Sequence, residues 1–321
     1  MTRAAEAMRR LNAADPSIHE RPPDGAAMER IRERVPAAAR PLRTRRSLRP
    51  GRLALATGSV VAATVAASVI LPLGGDPTPS AEAAQVLTSA AGRVGHGPSY
   101  IPRPGQFYYR RAQGVSLNAV TDSAGLTTMR RERSIQELWI ARDGSGRIGS
   151  GPDRPAAPDD FGPGGLAVPF GSRSLSMPDL EGLPTDPDAL AGVIEDSAVR
   201  NSHPLAYQEL DLVAEVLRNA PVSPALGAAF YEALARFPGI EALGERTDSV
   251  GRTGQAVGAT DAAGVRLEII IDPASGELLA DRSVATRDVD GLRAGDLLSE
   301  FTYVERGVVA SVGERPARNG G

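Results

Sequence analysis

The sequence predicts an α+β protein: one transmembrane helix followed by an extracytoplasmic domain with a mainly antiparallel, meander-type sheet and about three to four helices. Three observations predict it. Residues 53–73 form a run of 21 residues without a charge. Apolar residues recur at helical spacing over 81–94 and in three stretches between 185 and 237. From residue 240 onward the pattern alternates with period two and is punctuated by short Asp/Gly turns, which marks consecutive antiparallel strands.

At 1.5 Å per residue, a helix over 53–73 is about 31 Å long, matching a bilayer core of roughly 30 Å. Its Thr and Ser hydroxyls can bond back to the helix backbone. Arg43, Arg45, Arg46, Arg49 and Arg52 precede the run, whereas residues 74–92 contain no Arg. The positive-inside rule then places the N-terminus in the cytoplasm and residues 74–321 outside, a single-pass arrangement at the cell membrane. The rival is a cleaved leader, with Ala81-Glu82-Ala83 as cleavage site and Thr44-Arg45-Arg46-Ser47-Leu48 as a loose twin-arginine motif. An n-region of about 50 residues and an apolar run beyond the usual 7–15 favour retention as an anchor.

The cytoplasmic segment 1–52 carries 13 Arg against 6 acidic residues, whereas 53–321 carry 23 against 33. Within it, Met28, Ile31 and Val35 recur at helical spacing between Pro23 and Pro36. Helices this short are marginal alone, so the segment reads as a partly disordered basic tail, or as a docking helix that orders on a cytoplasmic partner through those three residues. Residues 74–80 (GGDPTPS) are a linker, and the extracytoplasmic domain covers 81–316, with 317–321 a disordered tail.

Ser80 and Glu82 start the helix at 81–94, whose apolar face is Val86, Leu87, Ala90, Ala91 and Val94. Strands follow at 106–112, 127–133 and 135–142, the last ending in the hairpin turn Asp143-Gly144-Ser145-Gly146 with a return strand from Arg147. Residues 149–184 are rich in Gly and Pro and read as a long mobile surface loop. Asp186-Pro187-Asp188 and Ser223-Pro224 are helix starts with a cap and proline at the first helical position. Between them, a helix over 205–219 turns Leu205, Leu212, Val213, Val216 and Leu217 inward. Strands over 240–246, 253–260, 265–272, 278–285, 297–305 and 308–312 complete the domain.

Composition excludes several chemistries. The 321 residues include no Cys, three His, and 36 basic residues that are all Arg, so disulfides, thiolate sites and lysine chemistry are absent. His19, His96 and His203 are too dispersed for a zinc site. No G-x-S-x-G, Walker-type or dinucleotide-binding glycine motif occurs. The carboxylate pairs Asp159/Asp160, Asp186/Asp188 and Asp211/Glu215 read as loop, helix start and solvated helix face. No catalytic, cofactor-binding or metal residue is therefore assigned, no cofactor is expected and no direct nucleic-acid contact is expected. Phe107, Tyr109 and Trp139 are candidate cavity-lining aromatics, with a packed core as the plainer alternative.

In order along the chain, the motifs Arg103-Pro104-Gly105-Gln106-Phe107-Tyr108-Tyr109, Glu137-Leu138-Trp139-Ile140, Leu183 to Leu190, Phe237-Pro238-Gly239, Asp272 to Leu279 and Gly307-Val308-Val309 form an arrangement. It resembles an uncharacterised family of actinobacterial single-pass membrane proteins often encoded beside extracytoplasmic-function sigma factors. That resemblance implies a sensor or interaction protein in envelope or transcriptional signalling, anti-sigma-like or accessory, with a sigma factor or similar regulator as cytoplasmic partner. Residues 1–52 lack the H-x-x-x-C-x-x-C pattern of zinc-type anti-sigma domains. The order of helix, sheet and covering helices is also similar to the lipoprotein-carrier and sigma-regulator sensor class. The alternative function is accordingly a lipid- or lipoprotein-binding module tethered at the outer face of the cytoplasmic membrane.

Overall fold

A computed structural model describes residues 79–121, 127–150, 159–198, 203–288 and 292–317, all within one compact unit. The expected span 53–73 and the residues Arg43, Arg45, Arg46, Arg49, Arg52, Met28, Ile31 and Val35 lie outside the described residues. Among the described residues no helix is long and apolar enough to cross a membrane.

The elements run α1 (Ala81–Val94), β1 (Phe107–Thr121), β2 (Thr127–Ala141), β3 (Gly146–Ser150), β4 (Asp159–Phe161), β5 (Val168–Phe170), β6 (Arg173–Leu175), α2 (Met177–Glu181), α3 (Pro187–Ser197), α4 (Leu205–Asn219), α5 (Pro224–Leu234), β7 (Glu241–Thr247), β8 (Thr253–Thr260), β9 (Val265–Ile271), β10 (Leu278–Ala285) and β11 (Leu297–Val309). Nine strands form one antiparallel sheet in the order β4-β3-β2-β1-β11-β10-β9-β8-β7, and β5 pairs with β6 separately. The C-terminal meander appears as the turn chemistry predicts. The two runs of strands are joined by β1 pairing with β11, from Phe107 against Val309 to Ser116 against Ser299.

The caps read from sequence are in place. Ser80 Oγ accepts from the Ala83 amide, Asp186 Oδ1 from Ala189 and Ser223 Oγ from Leu226, each satisfying an otherwise orphaned donor. Five helices are described instead of three to four, the extra one being α2. It belongs to the segment 149–184 expected as a surface loop. Its described part instead supplies three short strands and α2, closed by a capping box in which Ser176 and Asp179 exchange hydrogen bonds. Leu166, Val168, Phe170, Leu175, Met177 and Leu180 are buried there, so scattered apolar residues between glycines pack into the core without any period to announce them.

One face of the sheet carries the helices. α1 packs on α5, and α4 lies over β8, β9, β10 and the β5 strand, enclosing the main core. Within α4 the inward set holds for Leu212, Val213 and Val216, whereas Leu205, at the first turn, is 56% exposed. Glu215, expected on a solvated helix face, is buried, because α4 packs on more than one side.

Candidate functional site

A buried concentration of polar groups lies between α4 and the helix-facing side of the sheet. Side chains alternate faces along a strand, so Arg110 on β1, Gln136 on β2, Asp281 on β10 and Tyr303 on β11 all reach this layer. Arg110 donates to the Arg218 carbonyl and to Gln136 Oε1. Arg218 Nη2 lies 3.3 Å from both Glu215 Oε1 and Asp281 Oδ2, and Tyr303 donates its hydroxyl to Asp281 Oδ1. The Arg110 guanidinium also sits 5.6 Å from the Tyr303 ring centroid, and that of Arg218 is 5.9 Å from Phe301. Burial, with the Asp281 charge next, holds the Tyr303 phenol well above its ordinary value. Isolated charges here would be costly. Here Arg218 meets the carboxylates of Glu215 and Asp281, and Arg110 bonds to the Arg218 carbonyl and to Gln136, contacts that stand in for lost water.

Beside this cluster is a small cavity of about 50 Å³ where the end of α1, the α4–α5 connection and the β9–β10 turn meet β11. Its polar lining is Tyr100, Tyr108, Tyr231, Glu277 and Arg306. Tyr100 donates to Glu277 Oε1 at 2.7 Å, and Arg306 donates to the Leu278 carbonyl at 2.6 Å with Glu277 Oε2 3.9 Å from its Nε. Burial raises the phenols of Tyr231 and Tyr100, the latter further through its bond to Glu277. Burial alone would lower Arg306, but the surrounding tyrosines and Glu277 outweigh it and its charge is held more firmly than usual. The space suits a few waters or a group of that size. An acyl chain does not fit it.

A second hollow of about 330 Å³ runs between α1 and the ends of β8 and β9, lined by Gln85, Val86, Ser89, Ala90, Gln255, Ile271, Asp272 and Pro273. That is the lower end of the usual 300–1,000 Å³ for small-molecule sites.

Phe107, Tyr109 and Trp139 do come together, on the opposite face of the sheet, with Val309 and Val312. The Tyr109 and Trp139 rings are 5.3 Å apart, Tyr109 donates to Glu137 Oε1, and Trp139 Nε1 donates to the Glu314 carbonyl. They pack as a small separate core under the C-terminal residues, and the two hollows above are lined by other residues. The rest of that face holds a charge ladder: Glu268 accepts from Arg266 and Arg282, while Glu300 accepts from the Ser249 amide and Thr302. His203 Nδ1 is 3.5 Å from Asp261 and stacks on Tyr207, and His96 Nδ1 is 2.8 Å from the Gly92 carbonyl. Among the described residues no group of three potential metal ligands occurs.

No sequence pattern marks the Arg110/Arg218/Asp281/Tyr303 cluster, since a lone charge in a strand looks like a solvent-facing one. Glu209 on α4 was equally silent. It is 4% exposed, its Oε2 has no hydrogen-bond partner among the described residues, and burial, with the charge of Glu195 second, pushes its carboxyl up to about 7.

No family model matches the chain, and no curated protein matches it. Among solved structures, the complex of MucA and MucB from Pseudomonas aeruginosa overlaps 74% of this chain and 60% of that one, at 15% identity and a TM-score of 0.30. A structure of MucB alone gives 75% and 62% coverage, 14% identity and a TM-score of 0.27. The LolA superfamily protein NE2245 from Nitrosomonas europaea gives 74% and 96% coverage, 7% identity and a TM-score of 0.16. The chain thus spans about 60% of the length of the MucB chains it overlaps. The likeness is partial.

Proposed function

We propose that the chain is a membrane-anchored interaction protein of envelope signalling, with no catalytic step of its own. Residues 53–73 span the cytoplasmic membrane, the N-terminus is cytoplasmic and the sheet domain lies outside. Met28, Ile31 and Val35 dock a transcription regulator of the sigma-factor class on the inner side. The observation that carries this reading is the order of charge and structure around the apolar run: five Arg before it, none over 74–92, and a capped, folded domain that starts at Ser80. Seven residues, 74–80, separate the apolar run from that domain in the sequence.

The test is crosslinking of the full-length protein in its own membrane, with identification of what is recovered. A transcription regulator should attach to residues 1–52 and be lost in the Ile31→Asp protein. Equal recovery with Ile31→Asp, or no regulator at all, defeats the docking. The hollow beside α1 favours a second reading, a module that takes an acyl chain or other lipid. Recovery of lipid or envelope lipoproteins alone would put that reading first.

A further inference from the structure

The two longest strands outrun the sheet. β11 accompanies β1 from Phe107 to Ser116, and β3 accompanies β2 from Gln136 to Ile140. Past those points β1 and β2 continue as each other's partners, from Leu117 against Arg131 to Thr121 against Thr127. Among the described residues, nothing else pairs with β2 over 127–135 or with β1 over 117–121. The result is a two-stranded arm whose edges, among the described residues, present unpaired backbone N–H and C=O groups, and such ribbons are marginal alone.

The arm is also the basic part of an acidic domain. Arg130, Arg131 and Arg133 are exposed, none is ion-paired among the described residues, and Met129 is 48% exposed. Leu138 and Ile140 face the main core, so the odd-numbered residues Met129, Arg131 and Arg133 share the other face. Lysine or arginine on an open strand usually blunts it against pairing with copies of itself. Here the same charges select by sign what can pair.

We propose that the edge of β2 over 127–135 accepts an extended acidic segment of a partner protein as an added strand. Main-chain hydrogen bonds supply affinity and the alternating side chains supply specificity. Cross-strand pairing then sets the pattern of the partner: acidic residues two apart opposite Arg131 and Arg133, and an apolar residue opposite Met129. An anionic bilayer would answer the arginines but leave the backbone edge unsatisfied, so a strand is the better match. This deepens the interaction reading above by naming the chemistry of the outer partner.

The experiment uses the full-length protein in phosphatidylcholine nanodiscs and a fluorescent peptide of about twelve residues that carries Glu-x-Glu-x-Val along one face, with Thr between, so that Glu stands opposite Arg133 and Arg131 and Val opposite Met129. Saturable binding is expected, with amides of 127–135 gaining protection from hydrogen exchange. Arg131→Glu/Arg133→Glu should weaken binding by roughly tenfold or more, and both positions are exposed, so the fold is expected to survive, as circular dichroism will check. The same peptide N-methylated at alternate residues keeps its charge and should not bind. Equal binding of the N-methylated peptide, indifference to the charge reversal, or no peptide binding overturns the proposal. So does capture of the arm by phosphatidylglycerol vesicles in place of the peptide, which would make it a membrane contact. Ile31→Asp should leave peptide binding unchanged, so loss of the cytoplasmic contact is read separately.

Discussion

Asp281 is held by the buried Arg218 and by Tyr303, and its removal exposes what such clusters cost. Breaking a buried pair leaves an uncompensated charge, which typically costs about 3–5 kcal/mol. Asp281→Ala should lower the urea midpoint accordingly, with Asp281→Asn intermediate because it retains an acceptor for Tyr303. Glu209 gives the opposite effect. With its carboxyl raised to about 7 against 4.5 in an unfolded chain, the folded state binds the extra proton between those values. Stability should therefore fall as pH rises from about 4.5 through 7, by on the order of 2 kcal/mol. Glu209→Gln should flatten that slope and be the more stable protein at pH 8, as melting temperatures across the range will read.

At the scale of elements, the docking of α1 depends on one glycine. Gly276 in the β9–β10 turn has φ of +75°, and an added Cβ would lie 2.4 Å from the Ala90 carbonyl and 2.8 Å from the Val94 amide. Left-handed backbone and close approach both demand glycine there. Gly276→Ala should cost more than the roughly 1 kcal/mol of Ser80→Ala, which only removes the cap. Hydrogen exchange in α1 should rise first in both. On the other face, Val312 and the Glu314 carbonyl cover Trp139, the only tryptophan. Deleting residues 312–321 should shift its fluorescence to the red while α1 remains protected.

For the whole molecule, the proposed orientation rests on charge outside the folded domain. Replacing Arg43, Arg45, Arg46, Arg49 and Arg52 with Gln should weaken or invert the N-inside arrangement, visible as lost protease accessibility of the domain from the outer side. The domain's fold should be indifferent to that change, because its core and caps lie at or beyond Ser80.

Helix starts at Ser80, Asp186 and Ser223, the hairpin at Asp143-Gly144 and the turns of the C-terminal meander were legible in the sequence. Each is fixed by neighbours within a few residues: a cap oxygen, a proline at the first helical position, a glycine at positive φ. The sequence by itself also determined the charge division and the order of the four longer helices. Tertiary structure alone decided the pairing of β1 with β11, which joins residues some 200 apart, and the packing of 159–184 into the core. It also decided that Glu215, Arg218, Asp281 and Tyr303 meet while Phe107, Tyr109 and Trp139 face the other way. Those outcomes depend on which faces are buried against each other, and side-chain identity along one strand does not encode its distant neighbour.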